Sequence, residues 1–487
     1  MDRRMNKNDQ ARKTPVFWHR LPIVLGALFF AVAFFSLNHG DLPVTCAVSD
    51  GILHGHLFDL YDYAIDYLDP AQIAYFPSTY TLFAIWNIPL MLLNGNTPYF
   101  SPENNSIWGF GAGIYWAKLL PVVFYFLSAK IFCDILELLG IEKDKRKLAV
   151  IFWITVPLSF FSQFIFGQYD SFYVFFMLLG LKHLLRGDFF RGSIFFGISF
   201  TFKYFPIFVF IPVVLYLYRK DLKKLINSGL IAGIPLVVEL LVFVRSAGFK
   251  LTIIQGPVGL ISNGINLLRD GIFNGRAVAS FFLVFMLLTA LWAYFSKEPF
   301  SRKRLVEFAV ISVSLFALFI PWNPQWILFS SSMLVFLPFM AKDFKENLRN
   351  YLILDVLLMF FYSGYVSTYF PWNVDINMFN IMPLFRGINP VVEGETLNLA
   401  YLFQLGNRLS LEIASSLYYS GFFAVWLFIL IYYFKDNWSA PDLPQVAEAS
   451  ETYRRGMRHI WIRFICAASI YLIPAFVMYF AGQGLLH

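Results

Sequence analysis

The chain has 487 residues and a net charge of +7, with only 14% charged side chains against 58% hydrophobic and 20% aromatic ones. Soluble domains carry about 25% charged residues, so this composition excludes a soluble protein and indicates a polytopic membrane protein. The cations form short clusters between apolar segments and make no stripe with interleaved polar residues, so a nucleic-acid partner is not indicated.

Apolar segments long enough to enter a membrane recur along the whole chain. A helix needs about 20 apolar residues to cross a hydrocarbon core of about 30 Å. Segments close to this length lie at 21–37, 72–93, 111–139, 148–166, 171–185, 192–218, 226–244, 278–296, 305–320, 326–341, 351–367, 411–434 and 460–480. The sequence therefore predicts an all-α fold, a polytopic transmembrane helical bundle of about 11 to 13 spans.

Basic residues indicate which loops face the cytoplasm. Clusters of Lys and Arg lie at 3–20, 143–147, 186–191, 219–224, 297–304, 342–349 and 454–463. The positive-inside rule places these clusters on the cytoplasmic side, together with the N-terminal tail 1–20. The loops 38–71, 245–277 and 368–410 then lie outside, and we expect amphipathic interfacial helices in the last two.

Loop 38–71 carries six aspartates and no lysine or arginine, although the chain as a whole is basic. The six are Asp41, Asp50, Asp59, Asp62, Asp66 and Asp69. A carboxylate held against a membrane face can act as a general base or bind a cation. The sequence therefore predicts the reaction chemistry in this external acidic loop.

Segment 192–218 lies between two clusters assigned to the cytoplasm, so it must enter the membrane and return. Its two limbs would turn around Lys203 and Pro206. Such a turn is tolerated inside a membrane only where it lines a wet cavity or is packed in protein. Residues 94–110 also lack basic side chains, so 72–93 either dips and returns or precedes a short cytoplasmic loop.

Two lysines and one aspartate lie among the apolar segments. A lysine near mid-membrane is costly, so Lys203 either meets an anion such as a lipid phosphate in a polar cavity or snorkels to the interface. Lys118 is similar but lies closer to a helix start. Asp170, in Gly167-Gln-Tyr-Asp-Ser171, either belongs to a site or caps the helix that follows.

Two prolines bracket polar residues at another external junction, Pro321-Trp-Asn-Pro-Gln-Trp326. The aromatic belt of a membrane interface accounts for the tryptophans, but it does not account for Asn323 and Gln325. These amides can hydrogen-bond to a polar ligand, and the ring of Trp322 or Trp326 can stack on one. The junction is therefore a candidate binding site.

The order of these motifs resembles that of a known superfamily. The series is Asp41, Gly55-His-Leu-Phe-Asp-Leu-Tyr61, Tyr75-Phe-Pro-Ser-Thr-Tyr80, Gly167-Gln-Tyr-Asp-Ser171, Phe202-Lys-Tyr-Phe-Pro206 and Asn323-Pro-Gln-Trp326. Over about its first 340 residues the chain resembles the GT-C superfamily of integral-membrane glycosyltransferases. It is similar to the polyprenyl-phosphate-mannose-dependent mannosyltransferases and to the catalytic subunit of GPI mannosyltransferase I.

The resemblance implies an inverting transfer of a monosaccharide, mannose by analogy, from a polyprenyl phosphate to a glycolipid, glycan or protein acceptor at the extracytoplasmic face. The family uses an acidic residue just after the first helix as general base, which places the base on Asp41 with Asp50 in reserve. The donor phosphate would contact Lys203, Lys118 and Arg276. The sugar or acceptor would contact Gln168, Asp170, Asn323, Gln325 and Trp322. No cofactor or metal site is implied, and dependence on a divalent cation stays open.

The resemblance also divides the chain into a cytoplasmic tail (1–20), a GT-C-like catalytic module (21–341) and C-terminal transmembrane helices (342–487). We expect a multi-pass protein of a prokaryotic plasma membrane, or of the ER membrane in a eukaryote, without an obligate protein partner. Two other classes stay open. A secondary transporter or a lipid or sugar flippase would share the helices and the mid-membrane lysine, and a structural subunit would use buried charges to bind partner helices.

Overall fold

The computed structural model describes residues 16–37, 39, 41–70, 73, 75–94, 113–255, 277–320, 323–369, 399–406, 408–437 and 450–482. Within these ranges the chain forms helices and no β-strand, which confirms the all-α prediction. The helices are α1 (Val16–Ser36), α2 (Asp41–Leu53), α3 (Leu60–Ala64), α4 (Pro77–Asn94), α5 (Gly113–Leu138), α6 (Lys143–Ile154), α7 (Pro157–Phe160), α8 (Ser171–Leu185), α9 (Phe189–Phe202), α10 (Ile207–Tyr218), α11 (Leu222–Phe243), α12 (Ala247–Phe249), α13 (Ala277–Phe295), α14 (Arg302–Phe319), α15 (Ile327–Leu334), α16 (Phe336–Met340), α17 (Phe344–Tyr369), α18 (Leu399–Phe403), α19 (Leu411–Asn437) and α20 (Ser450–Gly482).

Four of the described helices are long and apolar enough to cross a membrane, and a bent helix pair raises the number to five. The four are α5, α11, α17 and α19, and the bent pair is α6 with the α7 region. Six further apolar helices have only 10–17 residues. Many of the thirteen apolar segments are thus shorter than the roughly 20 residues that a straight span needs. The chain is a multi-pass membrane protein in which several segments are short helices packed in protein.

The helices that surround the site pack closely on one another. α8 packs against α5 and α9, and α9 packs against α11. The contact between α9 and α11 requires Gly197, because a side chain there would run into the Ala232 carbonyl and the Pro235 ring. On another side of the bundle, α17 packs against α19 and α20, and α20 also contacts α1.

Breaks in the helices place irregular backbone where the site lies. The α6 and α7 stretches meet at 47°, and α7 continues as a π-helical turn that ends near Gly167. Gly167 has a φ of 76°, which glycine adopts without a steric cost. α9 ends at Phe202 and α10 begins at Ile207, because Pro206 has no N–H with which to continue α9. The predicted break at Lys203 is therefore confirmed.

Region 38–71 contains two helices where the sequence was expected to form a loop. α2 begins at Asp41 and is buried along most of its length. It carries only two aspartates, and the first lies at its N-terminus, where the helix dipole favours negative charge. With α3, α4 and α12 it forms a small apolar core that includes Val48, Tyr61, Tyr80 and Phe249. In the two long loops, the described parts contain the short helices α12 and α18.

Candidate active site

Lys203 and Asp170 form a buried ion pair. The Lys203 ammonium lies 2.9 Å from Asp170 Oδ1 and 3.3 Å from Oδ2, and the two side chains are only 9% and 1% exposed. The Tyr173 hydroxyl donates a third hydrogen bond to the carboxylate, at 3.1 Å. Asp170 makes no capping hydrogen bond to α8, and Lys203 does not reach the surface. Of the alternatives left open by the sequence, capping and snorkelling are therefore wrong.

Aromatic rings surround the Lys203 ammonium on several sides. The ammonium lies 4.6 Å from the centre of the Trp326 ring and 5.0 Å from that of Phe205. The rings of Tyr75 and Tyr173 lie at 5.6 and 5.8 Å. Such cation–π contacts hold a cation in place of part of its water shell. This ring of aromatic side chains was not predicted, because its members come from four separate stretches of the chain.

Asp41 lies beside this pair at the start of α2. Gln325 Nε2 donates to Asp41 Oδ2 at 3.3 Å, and His39 Nδ1 lies 3.3 Å from Oδ1. The His39 ring stacks on Phe166, with 3.9 Å between the ring centres. The same His39 Nδ1 accepts a hydrogen bond from the Asp41 main-chain N–H at 3.2 Å. The Asp41 side chain keeps 39% of its surface exposed, so its carboxylate is held through Oδ2 and still open to a substrate. His39 was missed by the sequence argument, although it lies only two residues before the predicted base.

The Asp41 carboxylate and the Lys203–Asp170 pair belong to one site. Gln325 and Trp326 are adjacent in one 3-10 turn, and they contact Asp41 and Lys203 respectively. This turn therefore connects the acidic and the basic parts of the site.

Tyrosines fasten α2 to the turn before α8. The Tyr169 and Thr45 hydroxyls lie 2.7 Å apart, and the rings of Tyr169 and Tyr75 meet edge to face at 4.7 Å. Gln168 Oε1 accepts a hydrogen bond from the Tyr169 N–H at 3.0 Å, and Gln168 is buried. The Gln168 side-chain carbonyl is thus used within the turn, and its role toward a sugar or acceptor stays a prediction.

Two adjacent residues of the 3-10 turn present polar atoms that the described part of the chain does not satisfy. These are Gln325 Oε1, an acceptor, and Trp326 Nε1, a donor, both buried. Buried polar groups in native proteins are almost always hydrogen-bonded. A ligand that both donates and accepts hydrogen bonds would satisfy the two atoms together.

Several predicted site residues lie elsewhere. The Lys118 ammonium donates to the carbonyls of Ala33, at 3.1 Å, and Phe34, at 3.2 Å, and also to Leu37, so it caps the end of α1. Asp50 is buried, and it lies about 13 Å further along the α2 axis than Asp41. Asn323, by contrast, directly precedes the 3-10 turn of the site, and its main-chain carbonyl accepts from the Trp326 N–H at 2.9 Å. Arg276 and Trp322 lie outside the described residues.

Two of the other aspartates of region 38–71 make hydrogen bonds at or near the surface. Asp59 is exposed, and its hydrogen bond with the His56 ring at 2.9 Å lowers the pKa of Asp59. Asp62 accepts a hydrogen bond from the Gly248 N–H at 2.7 Å, which ties α3 to α12. Within the described ranges, no group of three or more His, Cys, Asp or Glu side chains is placed to hold a metal ion.

A series of hydrogen-bonded polar side chains lies between α4, α9 and α11, and one of them, Thr201, lies two residues before Lys203. Ser78 Oγ contacts the Glu239 carboxyl group and lies 2.9 Å from Thr201 Oγ1, which donates to the Ile198 carbonyl at 2.7 Å. The hydroxyl groups of Ser78 and Thr201 carry one hydrogen each, which is too few to donate in all three contacts. All three are satisfied as hydrogen bonds when Glu239 is protonated and donates to Ser78. Glu239 was not anticipated, because it looks like an isolated acid in an apolar helix.

Comparison with known proteins gives one family. The family described as Glycosyltransferase family 87 matches residues 100–321. The matched part includes the turn with Asp170 and the break with Lys203, whereas Asp41 and Gln325 lie outside it. No curated protein matches the chain.

Proposed function

We propose that the chain is a glycosyltransferase of family 87, a family of GT-C-type membrane enzymes whose model matches residues 100–321, and that it uses a polyprenyl-phosphate sugar as donor. The enzyme transfers the sugar with inversion to a hydroxyl of a glycolipid, glycan or protein. Mannose is the sugar we propose, since polyprenyl-phosphate-mannose-dependent mannosyltransferases belong to this family. The family match supports sugar transfer over the transporter and structural-subunit alternatives. One observation carries the proposal, namely that adjacent residues of one turn contact a partly exposed carboxylate, Asp41, and a buried ammonium, Lys203.

Asp41 is the general base in this proposal. The acceptor oxygen bonds to the sugar C1 as the bond from C1 to the phosphate oxygen breaks, and the acceptor proton passes to the Asp41 carboxylate. Gln325 donates to one carboxylate oxygen and His39 accepts from the Asp41 main-chain N–H, and both contacts orient the base. Asp50 lies too far along α2 to share this role, so we no longer keep it in reserve.

Lys203 stabilises the leaving group. A polyprenyl phosphate gains one negative charge as it departs, and it needs no proton because it leaves as an anion. Asp170 accepts two contacts from the ammonium and so fixes its position. A hydrogen of the ammonium remains for the phosphate, and the surrounding rings keep bulk water from competing with it. Asp170 is thus a positioning residue and not a sugar ligand in this proposal.

The sugar occupies the space beside the 3-10 turn. A sugar hydroxyl both donates and accepts hydrogen bonds, which matches the acceptor Gln325 Oε1 and the donor Trp326 Nε1. The face of Trp326 is already turned to the Lys203 ammonium. Its N–H, not its ring face, is therefore the group that we assign to the substrate.

The site faces away from the cytoplasm in this proposal, in the plasma membrane of a prokaryote or the ER membrane of a eukaryote. Asp41 follows α1 directly, and the residues before α1 are basic, as are the other clusters assigned to the cytoplasm. A single cysteine at the exposed Asp66, in a chain without its three native cysteines, tests this assignment. We expect an impermeant thiol reagent to label it from outside only. Labelling from the cytoplasmic side would contradict the assignment.

The activity itself is tested with purified full-length protein in liposomes. The assay supplies radiolabelled polyprenyl-phosphate mannose and extracted membrane glycolipids, and it measures label transferred to the acceptor. We expect transfer by the wild type, a fall of about 10² to 10⁴ in Asp41→Asn, and little change in Asp66→Asn. The control removes the same charge from the same region at an exposed position. Equal losses in both variants, or label transferred only from a nucleotide sugar, would refute the proposal.

A further inference from the structure

A cavity of about 680 Å³ lies between the first turns of α17 and the first part of α20. Its walls include Arg349 of α17 and Arg455 of α20. Near the other end of α17, the Tyr362 hydroxyl donates to the Pro324 carbonyl at 2.6 Å, next to the candidate active site. About 20 Å of helix separates Arg349 from Tyr362. The cavity therefore lies toward the opposite membrane face from the active site, at the other end of a spanning helix.

Basic side chains face each other across this cavity. Lys345 and Arg349 line it from α17, and Arg455 and His459 line it from α20. In each pair the two residues are four apart, a spacing that places both side chains on one face of a helix. Two short basic rows therefore border the same space, as would suit an anionic ligand.

Two acidic residues, Asp343 and Glu346, also line the cavity. Asp343 is engaged with the start of α17, where its Oδ1 accepts a hydrogen bond from the Glu346 N–H at 3.1 Å. A carboxylate at this position is held by the positive end of the helix dipole. Three cationic side chains, those of Lys345, Arg349 and Arg455, line the cavity against these two carboxylates, so the lining keeps a net positive charge.

The remaining walls are apolar. They consist of Leu148, Phe344, Leu348 and Leu352. Gly456 lets α20 lie close to Leu148, because even a Cβ at this position would lie 3.3 Å from Leu148 Cδ1. A ligand in this cavity thus meets cations at the rim and hydrocarbon beneath them.

We propose that the cavity binds an anionic phospholipid of the leaflet opposite the active site, with its phosphate between the basic rows and the upper part of an acyl chain on the apolar wall. Basic pockets between transmembrane helices are suited to acidic lipid headgroups. A free phosphate would use the same cations but leave the apolar wall uncovered. The bound lipid joins α17 to α20, whose next link is the buried ion pair of Asp355 with Arg463, at 2.7 Å.

The test uses purified full-length protein in micelles of a neutral detergent, with phosphatidylglycerol, phosphatidylcholine or inorganic phosphate added. Thermal unfolding reports binding, because a ligand that binds only the folded protein raises the Tm. Native mass spectrometry counts retained lipid as a second measurement. We expect phosphatidylglycerol to raise the Tm by a few degrees and to be retained, and phosphatidylcholine and inorganic phosphate to do neither.

Charge variants locate the binding. The Arg349→Gln/Arg455→Gln variant is expected to weaken phosphatidylglycerol binding about 20- to 30-fold, the loss of two surface cations. Arg349→Lys/Arg455→Lys keeps the charge and should retain binding. The matched control is Lys220→Gln/Lys223→Gln, which removes two exposed cations before and at the start of α11. Unchanged binding in the Gln pair at 349 and 455, equal loss in the control, or an equal Tm shift with inorganic phosphate would overturn the proposal.

Discussion

Removing the Lys203 ammonium should cost the protein stability as well as activity. Replacing an unpartnered mid-membrane lysine by methionine should cost no stability, because a costly charge disappears. The ion pair reverses that expectation. Lys203→Met leaves the 1% exposed Asp170 carboxylate with Tyr173 as its remaining hydrogen-bond donor among the described residues. An uncompensated buried charge costs about 3 to 5 kcal/mol.

A double-mutant cycle with Asp170→Asn separates the pair from its surroundings. Each single variant should be destabilised by about 3 to 5 kcal/mol. The double variant should lose much less than the sum, with a coupling energy on the order of 3 kcal/mol, because both charges are then absent. Thermal unfolding of the four proteins in one detergent measures the stability differences.

Activity should not follow stability around this cycle. The double variant recovers much of the lost stability but still lacks the cation for the leaving phosphate, so we expect no measurable sugar transfer. Additive losses in stability would show that Lys203 and Asp170 are not coupled in the folded protein. Sugar transfer by the stable double variant near the wild-type rate would refute the assignment of Lys203 to the donor phosphate.

Three further substitutions test other parts of the site. Trp326→Phe keeps a ring over Lys203 but removes the indole N–H. The loss of one substrate hydrogen bond should lower kcat/KM by about 5- to 10-fold. An unchanged kcat/KM would remove this residue from the sugar site. Glu239→Gln should stay near wild type in thermal stability, because its amide can donate to Ser78 as a protonated acid does, whereas Glu239→Leu should lose about 1 to 3 kcal/mol. Equal losses in the two variants would show that a charged carboxylate is needed. Lys118→Met strips the carbonyls at the end of α1 of their donor and should lose about 1 to 3 kcal/mol of stability, with the KM for the donor unchanged; a raised KM would return Lys118 to the phosphate site.

The amino-acid sequence by itself determined the class of the protein and its local breaks. The shortage of charged residues and the apolar segments indicate a membrane protein made of helices, since a backbone in lipid must satisfy its own hydrogen bonds. The break at Lys203 was predictable as well, because Pro206 interrupts any helix that runs through it. The polar residues of the 3-10 turn were recognisable because they stand out in an apolar setting.

The partners of those residues were decided only by the tertiary structure. Lys203 and Asp170 are 33 positions apart and Asp41 and Gln325 are 284 apart, and no local pattern records which polar groups will meet across such separations. Lys118 and Lys203 look alike in sequence, yet one caps the end of α1 and the other is held by a carboxylate. The burial of α2 could not be predicted either, because it depends on contacts with other parts of the chain. A buried charge is tolerated only where another part of the fold supplies its partner, and that partner is chosen by helix packing.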